Sequence, residues 1–125
     1  MIILTKPQVL RVHKMMIEKT GGLDGVRDES LLDSALNVPF QTFDGKDIYP
    51  ALLPKAAALC RSLISNHPFA DGNKRTGVHI MLIFLELNGV ELSYTQNELV
   101  ELGLGVASGK MTYDDILMWL TEHNK

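Results

Sequence analysis

The chain of 125 residues has little cysteine, few aromatic residues and no long apolar run. Its one cysteine, Cys60, excludes a disulfide within the chain and is typical of a reducing compartment. The longest apolar run, Val78 to Leu85, is interrupted by His79 and is too short to span a bilayer. No charged-then-apolar signal segment is present. The composition therefore predicts a soluble, cytoplasmic protein without a membrane partner.

The chain also lacks an excess of positive charge. Its 12 Lys and Arg residues against 15 Asp and Glu residues give a formal net charge of −3 and a pI of about 5.7. Proteins that bind duplex nucleic acid usually have a basic patch and a high pI, so we expect no direct nucleic-acid partner. The Gly-x-x-x-x-Gly-Lys-Ser/Thr pattern of a Walker A phosphate loop is absent too.

Helical periodicity and helix-capping signals, in contrast, occur along most of the chain. Thr5 with Gln8, and Thr95 with Glu98, have the spacing of a capping box. Helices are predicted from Thr5 to the Gly21-Gly22 stop, over about 28–37, 51–65 and 73–88, from Thr95 to near Gly109, and after Thr112. The segment 73–88 is apolar nearly all round, which is typical of a buried central helix. We expect one all-α domain over residues 1–125, a bundle of about six helices.

Residues 40–49 do not fit the helical pattern. Short aromatic and β-branched runs flank Asp44-Gly45, and Asp-Gly in such a setting is the strongest local hairpin signal. We interpret this segment as a small β-hairpin packed on the helical body, with a plain loop as the alternative.

The most informative motif runs from His67 to Arg75. It joins a histidine, suited to general base catalysis near neutral pH, to Asp71, an oxygen ligand of the kind that Mg²⁺ accepts beside substrate phosphates. Gly72 allows close approach of the backbone, and Asn73 can turn or cap the chain where the next helix begins. Lys74 and Arg75 add positive charge beside the free N–H groups of a helix start.

Each of these residues alone has an ordinary explanation, since a loop histidine is usually solvated and a Lys-Arg pair is usually an exposed face. The two cations, however, have the wrong sign for a helix N-terminus, where the helix dipole favours anions. Local conflicts of this kind are expected at functional sites. We therefore interpret the motif as a site that binds phosphate and moves a proton.

The same run resembles the active-site motif of the Fic/Doc superfamily, His-Pro-Phe-x-Asp/Glu-Gly-Asn-Gly-Arg-x-x-Arg. Lys74 replaces the second glycine and Val78 the last arginine, and both departures are characteristic of the Doc, or death-on-curing, branch. Doc-like residues extend beyond the motif, at 21–28, 31–36, 55–57 and 88–89. The resemblance implies a compact Fic/Doc-type helical bundle with a hairpin flap, acting as the toxin of a type II toxin–antitoxin pair.

The resemblance also implies roles for individual residues. His67 would take the proton from a target hydroxyl, and Asp71 would hold Mg²⁺ on the phosphates of ATP. An anion hole at Gly72 and Asn73, with Lys74 and Arg75 beside it, would bind phosphate oxygens. The flap would pair with the target chain as an added strand; its residues are Thr42, Phe43, Asp44, Gly45 and Lys46.

Lys74 bears on the type of reaction that the resemblance implies. Fic enzymes with glycine at this position transfer AMP, whereas Doc-type toxins with lysine are understood to seat ATP the other way round and to transfer the γ-phosphate. The family target is a threonine of elongation factor Tu, and its modification arrests translation. The leading interpretation is a protein Ser/Thr kinase toxin.

Three alternatives remain at this point. AMP transfer to a protein hydroxyl is the nearest. A binding module without activity is the second, because Ser65 stands where Doc-type chains can carry an arginine. A metal hydrolase is weaker, since His67 and Asp71 fall short of the three protein ligands usual for catalytic zinc.

Regulation is also implied by the resemblance. The inhibitory Ser/Thr-x-x-x-Glu-Gly/Asn segment of some Fic enzymes is not found in this sequence. We therefore expect inhibition by a separate Phd-like antitoxin, whose disordered tail would fold as a helix into a groove of this protein.

Overall fold

Helices and one hairpin make up most of residues 1–124, the part of the chain that the computed structural model describes. The helices are α1 (Lys6–Thr20), α2 (Glu29–Asn37), α3 (Leu52–Asn66), α4 (Asn73–Leu87), α5 (Gln96–Ala107) and α6 (Tyr113–His123). A 3-10 turn (Val38–Phe40) leads to strands β1 (Thr42–Phe43) and β2 (Lys46–Asp47). The predicted all-α bundle with a small hairpin is confirmed. None of these helices is both long and apolar enough to cross a membrane.

The predicted capping residues begin the helices as expected. The hydroxyls of Thr5 and Thr95 accept from the backbone N–H three residues on, and the Gln8 and Glu98 side chains accept from the backbone N–H of the threonines. Thr112 and Asp115 form a third box of this kind. Such caps satisfy N–H groups that the helix itself leaves free, so these boundaries are set by local sequence.

The centre of the fold is the pair α3 and α4. Helix α3 packs against α2, α4, α5 and α6, and α4 also contacts α1 and α5. The two helices approach so closely at Gly77 that an added Cβ would lie 2.6 Å from Cγ1 of Ile64. Cys60 is fully buried between them, and burial raises the pKa of its thiol to about 12. It therefore contributes packing and remains a neutral thiol.

The hairpin is antiparallel, with Thr42 opposite Asp47 and Phe43 opposite Lys46. Asp44 and Gly45 both have positive φ, 53° and 76°, as a type I′ turn requires. The hairpin predicted for this segment is therefore confirmed. Because the sheet has only two strands, each strand keeps one edge that is not paired in the sheet.

Candidate active site

The loop from His67 to Gly72 joins the two central helices. His67 ends α3 in the left-handed region, with φ 54° and ψ 49°, and Gly72 precedes α4 there too, with φ 77° and ψ 20°. This conformation is uncommon for a residue other than glycine. It is held at His67 by Arg27, whose Nε donates to the His67 carbonyl at 2.7 Å, while Nη2 donates to the Asn66 carbonyl at 3.2 Å.

A second loop, between α1 and α2, supports the site loop along its length. The backbone N–H groups of Arg27 and Asp28 donate to the Pro68 carbonyl at 2.7 and 3.1 Å. The N–H of Ala70 donates to the Gly25 carbonyl at 3.0 Å. These bonds tie the site loop to a neighbouring segment as well as to the helices at its ends.

Asn73 is the first residue of α4, and its side chain points back into the loop. The side-chain oxygen accepts from the Phe69 N–H at 2.9 Å, and the side-chain nitrogen donates to the Phe69 carbonyl at 3.1 Å. The residue is 4% exposed. The cap position itself is taken by Gly72, and only the backbone N–H of Asn73 can contribute to an anion hole.

Four of the predicted site residues line one cavity of about 820 Å³ between α1, α4 and α5: Asp71, Gly72, Lys74 and Arg75. No side chain within residues 1–124 caps the start of α4, so its first N–H groups are open to a ligand. Lys74 and Arg75 are exposed and form no ion pair with the described residues. Positive charge and free donors therefore meet at one side of this cavity.

The Asp71 carboxylate is oriented by two backbone groups. One oxygen accepts from the N–H of Gly72 at 2.9 Å, and the other accepts from the N–H of Leu23 at 3.3 Å. A carboxylate has about four acceptor sites, so it keeps capacity for a cation. Asp71 is exposed, and it is the predicted residue best placed to hold a metal.

His67 and the hairpin are placed apart from this cavity. His67 is exposed and is not among the residues that line it. The four-residue spacing between His67 and Asp71 keeps their Cα atoms within about 14 Å. None of the flap residues 42–46 lines the cavity either.

The hairpin is anchored by a lysine from the first turn of α3. The Lys55 side chain is 7% exposed, and its Nζ donates to the Tyr49 carbonyl at 2.7 Å, to Asp47 Oδ2 at 3.2 Å and to the Pro39 carbonyl at 3.3 Å. Beyond this anchor, Phe43 on β1 is 78% exposed. The base of the hairpin is thus fixed, while its aromatic side chain faces solvent.

Sequence reasoning missed three residues that shape the site: His13, Arg27 and Lys55. His13 falls among the periodic residues of α1 in the sequence, yet it is buried and bonded to the Asp71 carbonyl at 2.7 Å. Each of the three is a polar residue in an apolar stripe or a Gly-rich bend. Arg27 and Lys55 also fall in the Doc-like segments 21–28 and 55–57. None of the three could be paired with its partner from the sequence, because helical periodicity does not specify how distant segments pack.

The protein is a helical bundle in which two cations and an uncapped helix start meet at one cavity beside the central helix. The model of the Fic/DOC family matches residues 3–85, and the chain belongs to this family. It is 51% identical over 73 residues to Toxin Doc of Mycolicibacterium smegmatis, a stretch that covers 58% of this chain and 56% of that protein. It is 26% identical over 113 residues to Protein kinase doc of Escherichia phage P1, covering 90% of this chain and 88% of that protein.

These matches confirm the predicted Fic/Doc resemblance and its Doc branch. The chain spans little more than half the length of the mycobacterial relative, whereas the alignment with the phage relative extends over most of both chains. The names of the two relatives refer to a toxin and to a kinase. The matches therefore show the Fic/DOC family for this chain and its similarity to Doc proteins with those names.

Proposed function

We propose that this protein is a toxin that transfers the γ-phosphate of ATP to a serine or threonine hydroxyl of a protein. The observation that carries the proposal is the meeting of Asp71, Lys74, Arg75 and the uncapped start of α4 at one cavity. Phosphoryl transfer depends mostly on positioning and electrostatic stabilisation, which this set of groups can supply. By family resemblance the target would be a threonine of elongation factor Tu, and phosphorylation of this threonine would arrest translation.

The residues present fit magnesium and a triphosphate. Asp71 offers an oriented carboxylate for Mg²⁺, and Lys74 and Arg75 offer cations to phosphate oxygens. The backbone N–H groups at the uncapped start of α4, beginning with that of Asn73, would complete the anion hole, whereas the Gly72 N–H already donates to Asp71. When bound, Mg-ATP supplies the phosphoryl group to be transferred and a metal charge that neutralises it.

His67 is the proposed general base. Its exposure leaves the imidazole accessible to a hydroxyl brought by another protein, and Arg27 fixes the backbone from which the ring projects. The flap residues Thr42, Phe43, Asp44, Gly45 and Lys46 would hold the target through their unpaired strand edge. The hydroxyl proton would pass to an imidazole nitrogen as the oxygen bonds to the γ-phosphorus. The bond from that phosphorus to the β,γ-bridging oxygen would break, and ADP would leave.

The test is the fate of labelled ATP. Purified protein, elongation factor Tu and ATP carrying label on either the α- or the γ-phosphate are incubated, and label retained on the target is measured. Retained γ-label is expected, and retained α-label would instead establish AMP transfer. The variant His67→Gln is expected to lower the rate about 100- to 10,000-fold, whereas Ser65→Ala, an exposed neighbour, serves as the matched control.

Loss of label in both forms would favour the inactive binding module. Expression in a bacterium separates that alternative further. The wild-type protein is expected to stop growth, and His67→Gln is expected to permit it. Equal growth of the two strains would contradict the toxin assignment.

We propose in addition that a Phd-like antitoxin binds the same cavity. Its walls away from the cations are apolar, and Met15, Val100 and Leu104 remain 60%, 51% and 52% exposed. Methionine-rich apolar grooves suit the apolar face of an amphipathic helix. Lys19 lines the cavity together with Lys74 and Arg75, so acidic side chains on that helix would be attracted to its cationic side.

A further inference from the structure

The buried histidine of α1 contacts the site loop at two points. His13 is 2% exposed, and its ring stacks on that of Phe69, with centroids 3.9 Å apart and planes 8° from parallel. Its Nε2 lies 2.7 Å from the carbonyl oxygen of Asp71. Because a carbonyl oxygen only accepts, Nε2 carries the hydrogen of this bond.

The other ring nitrogen makes no comparable bond within the described residues. Nδ1 lies 3.6 Å from Oδ1 of Asp24, which is too far for a hydrogen bond. The hydrogen bond to Asp71 is therefore the polar contact that justifies a histidine here, since a phenylalanine could provide the stacking alone.

The bonded carbonyl belongs to the peptide plane between Asp71 and Gly72. A peptide unit is rigid, so a fixed carbonyl also fixes the Gly72 N–H, the ψ of Asp71 and the φ of Gly72. That N–H donates to the Asp71 carboxylate. Helix α1 packs directly on the same point, since a Cβ at Gly72 would lie 3.1 Å from Cδ1 of Ile17 and 3.8 Å from Nε2 of His13.

We propose that His13 is a positioning residue for the phosphate and metal site. Its Nε2–H holds the Asp71–Gly72 peptide in the one orientation that aims the carboxylate and the start of α4 into the cavity. This inference rests on the proposed function for its catalytic meaning. The hydrogen bond and the ring stack have separable effects, which the choice of substitution can exploit.

Two variants divide these effects. His13→Gln places an amide nitrogen the same number of bonds from the backbone as Nε2 and so keeps the donor, but it loses the stack on Phe69. His13→Phe keeps the stack and loses the donor. Val9→Ala, on the same helix and fully buried, lowers stability without touching the site and is the matched control.

The measurements are the Kd of Mg-ATP, amide hydrogen exchange over residues 69–73 in the protein alone, and the melting temperature. We expect His13→Phe to raise the Kd about tenfold and to speed exchange in the loop. His13→Gln is expected to keep both near the wild-type values even if it melts earlier. Val9→Ala is expected to melt earlier with neither site property changed.

The proposal is overturned if Kd and loop exchange follow the melting temperature across all three variants, or if His13→Phe behaves like the wild type. A wild-type protein that does not bind Mg-ATP would count against the proposed function alone. In that case the comparison of amide exchange still decides whether the His13 Nε2–H holds the conformation of the site loop.

Discussion

Arg27 and His67 form a contact on which the proposed base depends. The His67 backbone lies in a region that costs free energy for a residue with a Cβ, and such strain persists only where the surroundings hold it. Two donors of one guanidinium hold it here, one on the His67 carbonyl and one on the Asn66 carbonyl. The backbone from which the imidazole projects is thus held by a residue from another loop.

Replacing Arg27 with lysine should separate charge from geometry. Lysine keeps the positive charge but lacks the rigid fork of donors. Because the contact is exposed, we expect the free energy of unfolding to fall by about 1 kcal/mol or less. The transfer kcat is expected to fall about ten- to hundredfold through misplacement of the base.

The measurement is steady-state transfer of γ-label with denaturant unfolding on the same samples. The control is Arg11→Lys, which replaces an exposed arginine of α1 whose side chain makes no hydrogen bond with the described residues. An Arg27→Lys protein with wild-type kcat would show that the fork does not position His67.

The contiguous part of the site was predictable, and the supporting part was not. His67 to Arg75 are neighbours in the chain, so their combined chemistry is visible in the sequence itself. His13 and Arg27 act through bonds that span 58 and 40 residues. Such contacts depend on how α1 and the following loop pack, which periodicity alone does not specify.

Helix boundaries followed from sequence more readily, because capping boxes and turn residues act over a few positions. The side-chain contact that links α5 to α6 could not be predicted in this way. Glu98 closes the capping box of α5 through Oε1, and its Oε2 lies 2.7 Å from Nε2 of His123 in the last turn of α6. His123 Nδ1 lies 2.7 Å from the Trp119 carbonyl, so both ring nitrogens face acceptors and favour the imidazolium.

This link should make stability depend on pH with a definite sign. The hydrogen bond to Glu98 raises the pKa of His123, so its contribution is complete below the unfolded pKa of about 6.5 and is lost as pH rises through the folded value. The hydrogen bond to His123 lowers the pKa of Glu98, so the contribution of that carboxylate is present above its unfolded pKa of about 4.3 and is lost as pH falls through the folded value.

The pair should therefore stabilise the fold most between about pH 4.3 and 6.5. Urea midpoints measured from pH 4 to pH 9 for wild type and Glu98→Gln are expected to differ most in that window and to converge at higher pH. Glu18→Gln, which removes an exposed carboxylate of α1 that forms no ion pair with the described residues, should leave the profile unchanged. A Glu98→Gln difference that stays constant across the range would contradict this account.

At the scale of the whole molecule, the proposed phosphate site and the proposed antitoxin groove lie on connected surfaces. The cavity between α1, α4 and α5 has a cationic side at Lys74 and Arg75 and apolar walls beyond it. Neither its position nor its depth follows from the sequence, because three helices far apart in the chain form it. An antitoxin helix seated along these walls would also bring acidic groups to the residues proposed to bind phosphate.

Leu104 tests this connection because it is 52% exposed on α5 and lines the cavity. Leu104→Glu should leave folding and γ-phosphate transfer unchanged, since the side chain is far from full burial and has no proposed role in transfer. It should weaken antitoxin binding about 30-fold, because an apolar anchor is lost and a negative charge faces an acidic helix. Leu104→Met, which keeps an apolar side chain, is expected to bind nearly as the wild type does.

The measurement takes as partner the product of the short open reading frame that we expect beside the gene of this protein. Binding is followed by calorimetry, and neutralisation is followed by growth on co-expression. Cells carrying Leu104→Glu are expected to stop growing even with the antitoxin present, whereas the wild-type toxin is neutralised. Binding should also weaken with added salt, because exposed cations contribute to it. Full neutralisation of Leu104→Glu would show that the antitoxin binds another surface. Loss of γ-phosphate transfer in the same variant would show that the apolar walls of the cavity take part in substrate binding.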